Sequence, residues 1–132
     1  MVHPNRPVIL VIDDDPAIRL LIQDVLDDVH YKVMLAADGP TALTAMATVV
    51  PDLVTLDLDL PGITGGHVLE LMRQQDSLRD VKVVIISSIE IVPPRVRELS
   101  QAILRKPFDV DTLLDLIQRL APPPEQSNAL NS

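Results

Sequence analysis

Four short apolar runs in this chain each end at or just before a residue that can do chemistry, and that pattern constrains the fold most. Val8–Ile12 leads into Asp13 and Asp14, Leu53–Leu56 into Asp57, and Val83–Ile86 into Ser87. Ala102–Leu104 is followed closely by Lys106. An apolar run of that length, without alternation, reads as a strand buried on both faces of a parallel sheet. In an open parallel sheet the ligand crevice lies outside the carboxyl ends of the strands. Three carboxylates, a hydroxyl and an ammonium are therefore expected to meet there. Such a set suits a divalent cation and a phosphoryl group.

Helical patterns fill the intervals. Asp15 is a good N-cap, Pro16 fits the first helical position, and Ile18, Leu21, Ile22, Val25 and Val29 recur at helical spacing. Tyr31–Leu35 reads as the second strand, Asp38-Gly39 as a turn and Pro40–Val49 as the second helix. After the third strand, Pro61-Gly62 and Gly65-Gly66 mark a loop, and His67–Gln75 reads as the third helix. The fourth strand is expected over Val81–Ile86. Pro93-Pro94 opens a short fourth helix running to about Ser100, and Asp109 caps a last helix carrying Leu113, Leu114, Ile117 and Leu120 on one face. Five strands alternating with five helices imply one α/β domain with a parallel sheet covered on both sides. The domain is expected over residues 1–121, followed by a flexible proline-rich tail over 122–132.

Composition narrows the function. The formal charge is −8 and no basic cluster offsets it, which argues against a nucleic-acid-binding face. There is no cysteine, so thiol chemistry and disulfides are excluded and a reducing, cytoplasmic setting is expected. No apolar stretch is long enough to span a bilayer, and no secretory signal opens the chain. His3, His30, His67 and Tyr31 are too scattered to form a set, and the histidines read as surface residues.

Taken one at a time, the polar strand ends have plain structural explanations. Asp15 reads as a helix cap, a lone strand-end aspartate usually bonds to a turn, and a lysine is usually solvated. Taken together they do not. Two adjacent carboxylates repel, and a like-charged pair about 4 Å apart costs about 4 kcal/mol at an effective dielectric near 20. A shared Mg²⁺ removes that penalty, taking one or two carboxylates and keeping several waters. Asp57 can attack phosphorus to give an aspartyl phosphate. Ser87 can donate to one phosphoryl oxygen and Lys106 can pair with another.

The combination resembles the receiver domain of bacterial response regulators, of the stand-alone single-domain type. The matching stretches are Ile9-Leu10-Val11-Ile12-Asp13-Asp14-Asp15-Pro16, Pro51-Asp52-Leu53-Val54-Thr55-Leu56-Asp57-Leu58-Asp59-Leu60-Pro61-Gly62 with Gly65, Val83-Val84-Ile85-Ile86-Ser87, and Lys106-Pro107-Phe108. The resemblance implies a flavodoxin-like, doubly wound (βα)5 fold with strand order 2-1-3-4-5. It implies Asp57 as phosphoacceptor, Ser87 as the switch hydroxyl and Lys106 as the phosphoryl partner. Mg²⁺ would be held by Asp14 and Asp57, by Asp13 mainly through water, and by the backbone carbonyl of Asp59. It also implies a cis Lys106–Pro107 peptide. The implied partners are a sensor histidine kinase or phosphotransfer protein and a downstream protein of unknown identity. No nucleic acid or membrane is implied, and the chain would be a monomer or weak homodimer. A receiver catalyses only its own phosphorylation and dephosphorylation and is otherwise no enzyme.

Several positions depart from the family pattern. Ser88 adds a hydroxyl where alanine or glycine is usual, and Asp59 adds a carboxylate to the phosphorylation loop, with its side chain expected toward solvent. Apolar Ile89 is expected to limit water access and slow dephosphorylation. Only 19 positions separate Ser87 from Lys106, fewer than is usual, and Ile103 replaces the customary aromatic. The fourth helix must therefore be short or displaced. Two alternatives follow. One is a receiver-like binding module that is not phosphorylated. The other is a phosphohydrolase, because Asp57-Leu58-Asp59-Leu60 is similar to the nucleophile motif of haloacid-dehalogenase-like phosphatases.

Overall fold

The computed structural model describes residues 6–123. In chain order the elements are β1 (Val8–Ile12), α1 (Pro16–Asp27), β2 (Lys32–Ala36), α2 (Gly39–Thr48), β3 (Leu53–Leu56), α3 (Gly65–Arg73), β4 (Lys82–Ser87), α4 (Pro94–Leu99), β5 (Ala102–Arg105) and α5 (Val110–Leu120). A 3-10 turn over Asp76–Leu78 joins α3 to β4. All strand pairs are parallel and the order is β2-β1-β3-β4-β5, as the resemblance implied. Of the expected tail over 122–132, residues 124–132 lie outside the described residues, as does His3.

Strand position explains strand composition. The inner strands β1, β3 and β4 are buried along almost their whole length, while the edge strands β2 and β5 are only partly covered. The pleat then divides each inner strand between two cores. Ile9 and Val11 of β1 and Val84 and Ile86 of β4 pack with Ile22 and Leu26 of α1 and Leu113 and Ile117 of α5. Leu10, Ile12, Val83 and Ile85 point the other way, among Ala42 and Met46 of α2, Val68, Leu69 and Met72 of α3, and Val96 of α4.

Several boundaries differ from expectation because side chains, rather than periodicity, set them. The α3 helix begins at Gly65 because the Thr64 hydroxyl accepts from the His67 amide and caps it. Asp38 likewise caps α2 by accepting from the Thr41 amide, so Gly39 belongs to the helix. Tyr31 lies outside β2. Its amide donates to Leu26 O, closing the end of α1, and its ring is buried in the α1–α5 core. Preceding it, His30 takes the left-handed backbone conformation (φ 68°) that lets the chain turn out of the helix. The β4 strand runs to Ser87 and β5 to Arg105, because Ser87 and Arg105 pair across the ladder.

The expected shortness of the fourth helix holds: α4 has six residues. No side chain caps its N-terminus, but its end is tied down from outside. The Arg73 guanidinium, on α3, donates to Leu99 O (Nε 3.0 Å, Nη2 2.9 Å) and to Leu78 O and Arg79 O. Gln101 accepts from the Val83 amide through its side chain (2.6 Å) while its own amide donates to Val83 O. These bonds dock the short α4–β5 segment without help from helix length.

Candidate functional site

The register of β1 on β3 builds the crevice. Ile12 pairs with Leu56, so the next residues, Asp13 and Asp57, leave the sheet side by side. This is where the winding reverses: β2 lies beyond β1, and β4 and β5 lie beyond β3. A crevice at such a switch point is where doubly wound sheets bind ligands. Backbone bonds hold both strand ends, from the Asp13 amide to Ala36 O and from the Asp57 amide to Ile12 O.

The buried members are Asp13, Asp57 and Ser87, with relative exposures of 2, 4 and 2%. Asp14 and Asp59 are exposed. Asp13, Asp14 and Asp57 each present a carboxylate oxygen within 4.8 Å of the other two. Lys106 reaches into this group, with Nζ 2.8 Å from Asp13 Oδ2 and 3.1 Å from Asp57 Oδ2. The remaining oxygens accept backbone amides, Asp13 Oδ1 from Asp15 and Asp57 Oδ1 from Asp59. Ser87 stands next to the lysine: the Lys106 amide donates to Ser87 O (3.0 Å), and Ser87 Oγ accepts from the Ile89 amide. The Lys106–Pro107 peptide is cis.

The electrostatics leave the crevice short of positive charge. At Asp13, burial outweighs the lysine and holds the carboxyl above the usual carboxylate range. At Lys106, burial acts to lower the ammonium, but its hydrogen bonds and charge attraction to Asp13 and Asp57 together prevail and hold it above the usual lysine range. One ammonium thus serves three clustered carboxylates, two of them buried. A hard divalent cation is the natural complement of such an oxygen donor set. The residues present fit Mg²⁺.

Two features escape a reading of the sequence. Gly65 abuts the strand end so closely that a Cβ there would lie 2.2 Å from Asp57 O and 2.7 Å from Leu58 Cα. In sequence the glycine pair reads as loop punctuation, whereas Gly65 is the contact that lets α3 press against the Asp57 turn. The sequence also gives no sign that Lys106, expected to pair with a phosphoryl group, bonds two carboxylates at once, the shorter bond being to Asp13. The side chain of Asp59 faces solvent, as expected. A cavity of about 320 Å³, lined by Pro7, Asp52, Asp80, Lys82 and Leu120, opens where β3 and β4 begin, at the far end of the sheet.

The chain belongs to the response regulator receiver domain family, whose profile matches residues 9–118. It is a receiver domain of two-component signalling. It is 32% identical over 117 residues to the DNA-binding dual master transcriptional regulator RpaA of Synechocystis, covering 86% of this chain and 48% of that protein. The chain thus spans about half the length of that relative. It is 30% identical to sporulation initiation phosphotransferase F of Bacillus subtilis, covering 86% of this chain and 93% of that one. The fold is similar to response regulator TrrA of Thermotoga maritima, solved in complex with Mg²⁺-BeF, with a TM-score of 0.78, 28% identity, and coverage of 86% of this chain and 98% of that one. Among the described residues no helix is long and apolar enough to cross a membrane.

Proposed function

We propose that this domain is a phosphorylation switch that receives a phosphoryl group on Asp57. The donor is a phosphohistidine on a sensor histidine kinase or phosphotransfer protein. An Asp57 carboxylate oxygen forms the new bond to phosphorus as the histidine N–P bond breaks, and the electron pair of that bond returns to the imidazole nitrogen. Asp14 and Asp57, with the Asp59 backbone carbonyl and Asp13 through water, would hold Mg²⁺, which when bound would neutralise charge on the phosphoryl oxygens. Lys106 moves its hydrogen bond from Asp57 to a phosphoryl oxygen, keeping its anchor on Asp13. Ser87 gives up the Ile89 amide and donates its hydroxyl to another phosphoryl oxygen. The acyl phosphate carries about −1.5 to −2 where the carboxylate carried −1, and its three phosphoryl oxygens draw the loop after β4 toward the crevice and alter the surface offered to a downstream protein.

The observation that carries this reading is the convergence of Asp13, Asp14 and Asp57 within 4.8 Å around a single lysine at the sheet's switch point. The competing phosphohydrolase reading rests on four residues, against a family match over residues 9–118. The test is incubation with Mg²⁺ and acetyl phosphate or beryllofluoride, read by intact mass and by ¹⁹F NMR. An adduct that requires Mg²⁺ and disappears in Asp57→Asn is the expected result. Absence of both adduct and Mg²⁺ binding would assign the chain to the unphosphorylated binding modules. Steady turnover of a phosphate monoester would return it to the phosphohydrolases.

A further inference from the structure

We propose that Arg19 is a positioning residue for the metal-binding end of the crevice. This inference rests on the reading of Asp13, Asp14 and Asp57 as the Mg²⁺ site. Arg19 sits in the first turn of α1, and its guanidinium Nη1 turns back to donate to the carbonyl of Asp13 at 2.6 Å. Its own amide donates to Asp15 O, the first bond of the helix. One residue therefore grips the acidic turn from both sides.

The turn needs an outside anchor. Asp13, Asp14 and Asp15 are consecutive carboxylates that must reverse direction between β1 and α1. Both side-chain oxygens of Asp13 are engaged, by Lys106 and by the Asp15 amide. Asp15 is engaged as the cap of α1. Asp14 has an exposed side chain, and its direction follows from the backbone on either side. By fixing the Asp13 carbonyl, Arg19 orients the peptide from which Asp14 projects, as groups outside a metal's ligand shell commonly orient the ligands.

Two physical effects of the guanidinium have opposite signs, which makes the idea testable. As a positive charge near a cation site, Arg19 opposes Mg²⁺, and its removal by itself would tighten binding. As an anchor, it preorganises the ligands, and its removal would weaken binding. We expect positioning to prevail. Loss of an outer-shell partner typically weakens metal affinity at least about tenfold, so Arg19→Ala should raise the Mg²⁺ dissociation constant by about that factor.

The experiment is calorimetric titration of Mg²⁺ into the full chain, with thermal melting as a control and amide chemical shifts of the metal-free protein as a second readout. Arg19→Lys, which keeps a donor on a long stem, should recover much of the affinity. Arg19→Met, which keeps the stem but no donor, should behave like Arg19→Ala and replaces it should the alanine variant fail to fold. Amide resonances of Asp14 and Asp15 should move in the Met variant before any metal is added. Equal or tighter Mg²⁺ binding in the donor-less variants overturns the inference, including the case where only the melting temperature falls. A wild-type chain that takes up no Mg²⁺ overturns the site reading and this inference together. Wild-type binding with unchanged donor-less variants overturns this inference alone.

Discussion

The acid crevice stands at the carboxyl ends of β1 and β3, the bonds that hold the α4–β5 segment lie at the amino ends of β4 and β5, and the two regions are held together by different means. In the crevice, strand register does most of the placing: Ile12 pairs with Leu56, and the carboxylates follow one residue later. In the α4–β5 segment, α4 is too short to position itself. Side chains from distant elements take over, with Arg73 on three carbonyls and Gln101 bridging to Val83. The difference teaches that one region can be set by backbone pairing while another in the same sheet is held through a few long-range hydrogen bonds. Ile103, where the resemblance leads one to expect an aromatic, belongs to the second region and is partly buried against the α2–α3 core.

The sharpest way to break the comparison is at Gly65. A Cβ at this position would overlap backbone rather than a pliable side chain, so Gly65→Ala should cost about 3 kcal/mol and displace the Asp57 turn. Urea unfolding measures the first and beryllofluoride binding the second. Normal binding in a folded variant would show that the close approach does not shape the crevice.

The corresponding change on the other side is Arg73→Ala. It strands the partly buried Leu99 and Leu78 carbonyls and should cost about 2 kcal/mol. Mg²⁺ affinity should stay at the wild-type value, because the bonds removed all lie outside the crevice. Hydrogen exchange should speed up in 94–105 and leave β1 and β3 unchanged. A fall in Mg²⁺ affinity would mean that the two regions are one mechanical unit.

The smallest effect belongs to a site remote from both. Tyr31 is buried beside the start of β2, at the edge of the sheet away from β5 and the end away from the crevice, and donates its hydroxyl to Ala121 O, and burial pushes its pKa up to about 12. It is the chain's single tyrosine and there is no tryptophan, so absorbance at alkaline pH reports on it alone. An unfolded tyrosine ionises near 10, whereas the folded one stays neutral until about 12. The stability it lends is intact below pH 10 and is lost as pH rises from there through 12, by about 1 kcal/mol at pH 11. Tyr31→Phe should remove that alkaline loss while leaving both regions unchanged. A titration midpoint near 10 would show that the ring is accessible.

Much of this is legible in the primary structure, and the limits have physical causes. Unbroken aliphatic character places the inner strands, and β3 runs from Leu53 to Leu56 as the sequence predicts. The starts of α2 and α3 are not legible, since Asp38 and Thr64 act through one hydrogen bond each and leave no periodicity. The site residues stand out because each terminates an apolar run. Arg19 and Gly65 do not stand out because neither does so. Arg19 works through its reach to a main-chain carbonyl, and Gly65 through what it lacks. A one-dimensional pattern registers spacing and polarity, and neither the direction of a guanidinium nor the clearance of a missing Cβ is written in those terms.

By itself, the order of residues determined that strands and helices alternate and that acids, a serine and a lysine stand at strand ends, because hydrophobic burial imposes periods that can be counted. Only the tertiary structure decided which strands are neighbours in register, that Lys106 is shared between Asp13 and Asp57, and that Arg73 holds a shortened α4 in place. Those outcomes depend on contacts between residues tens of positions apart, where a difference of a few tenths of an ångström separates a hydrogen bond from a clash.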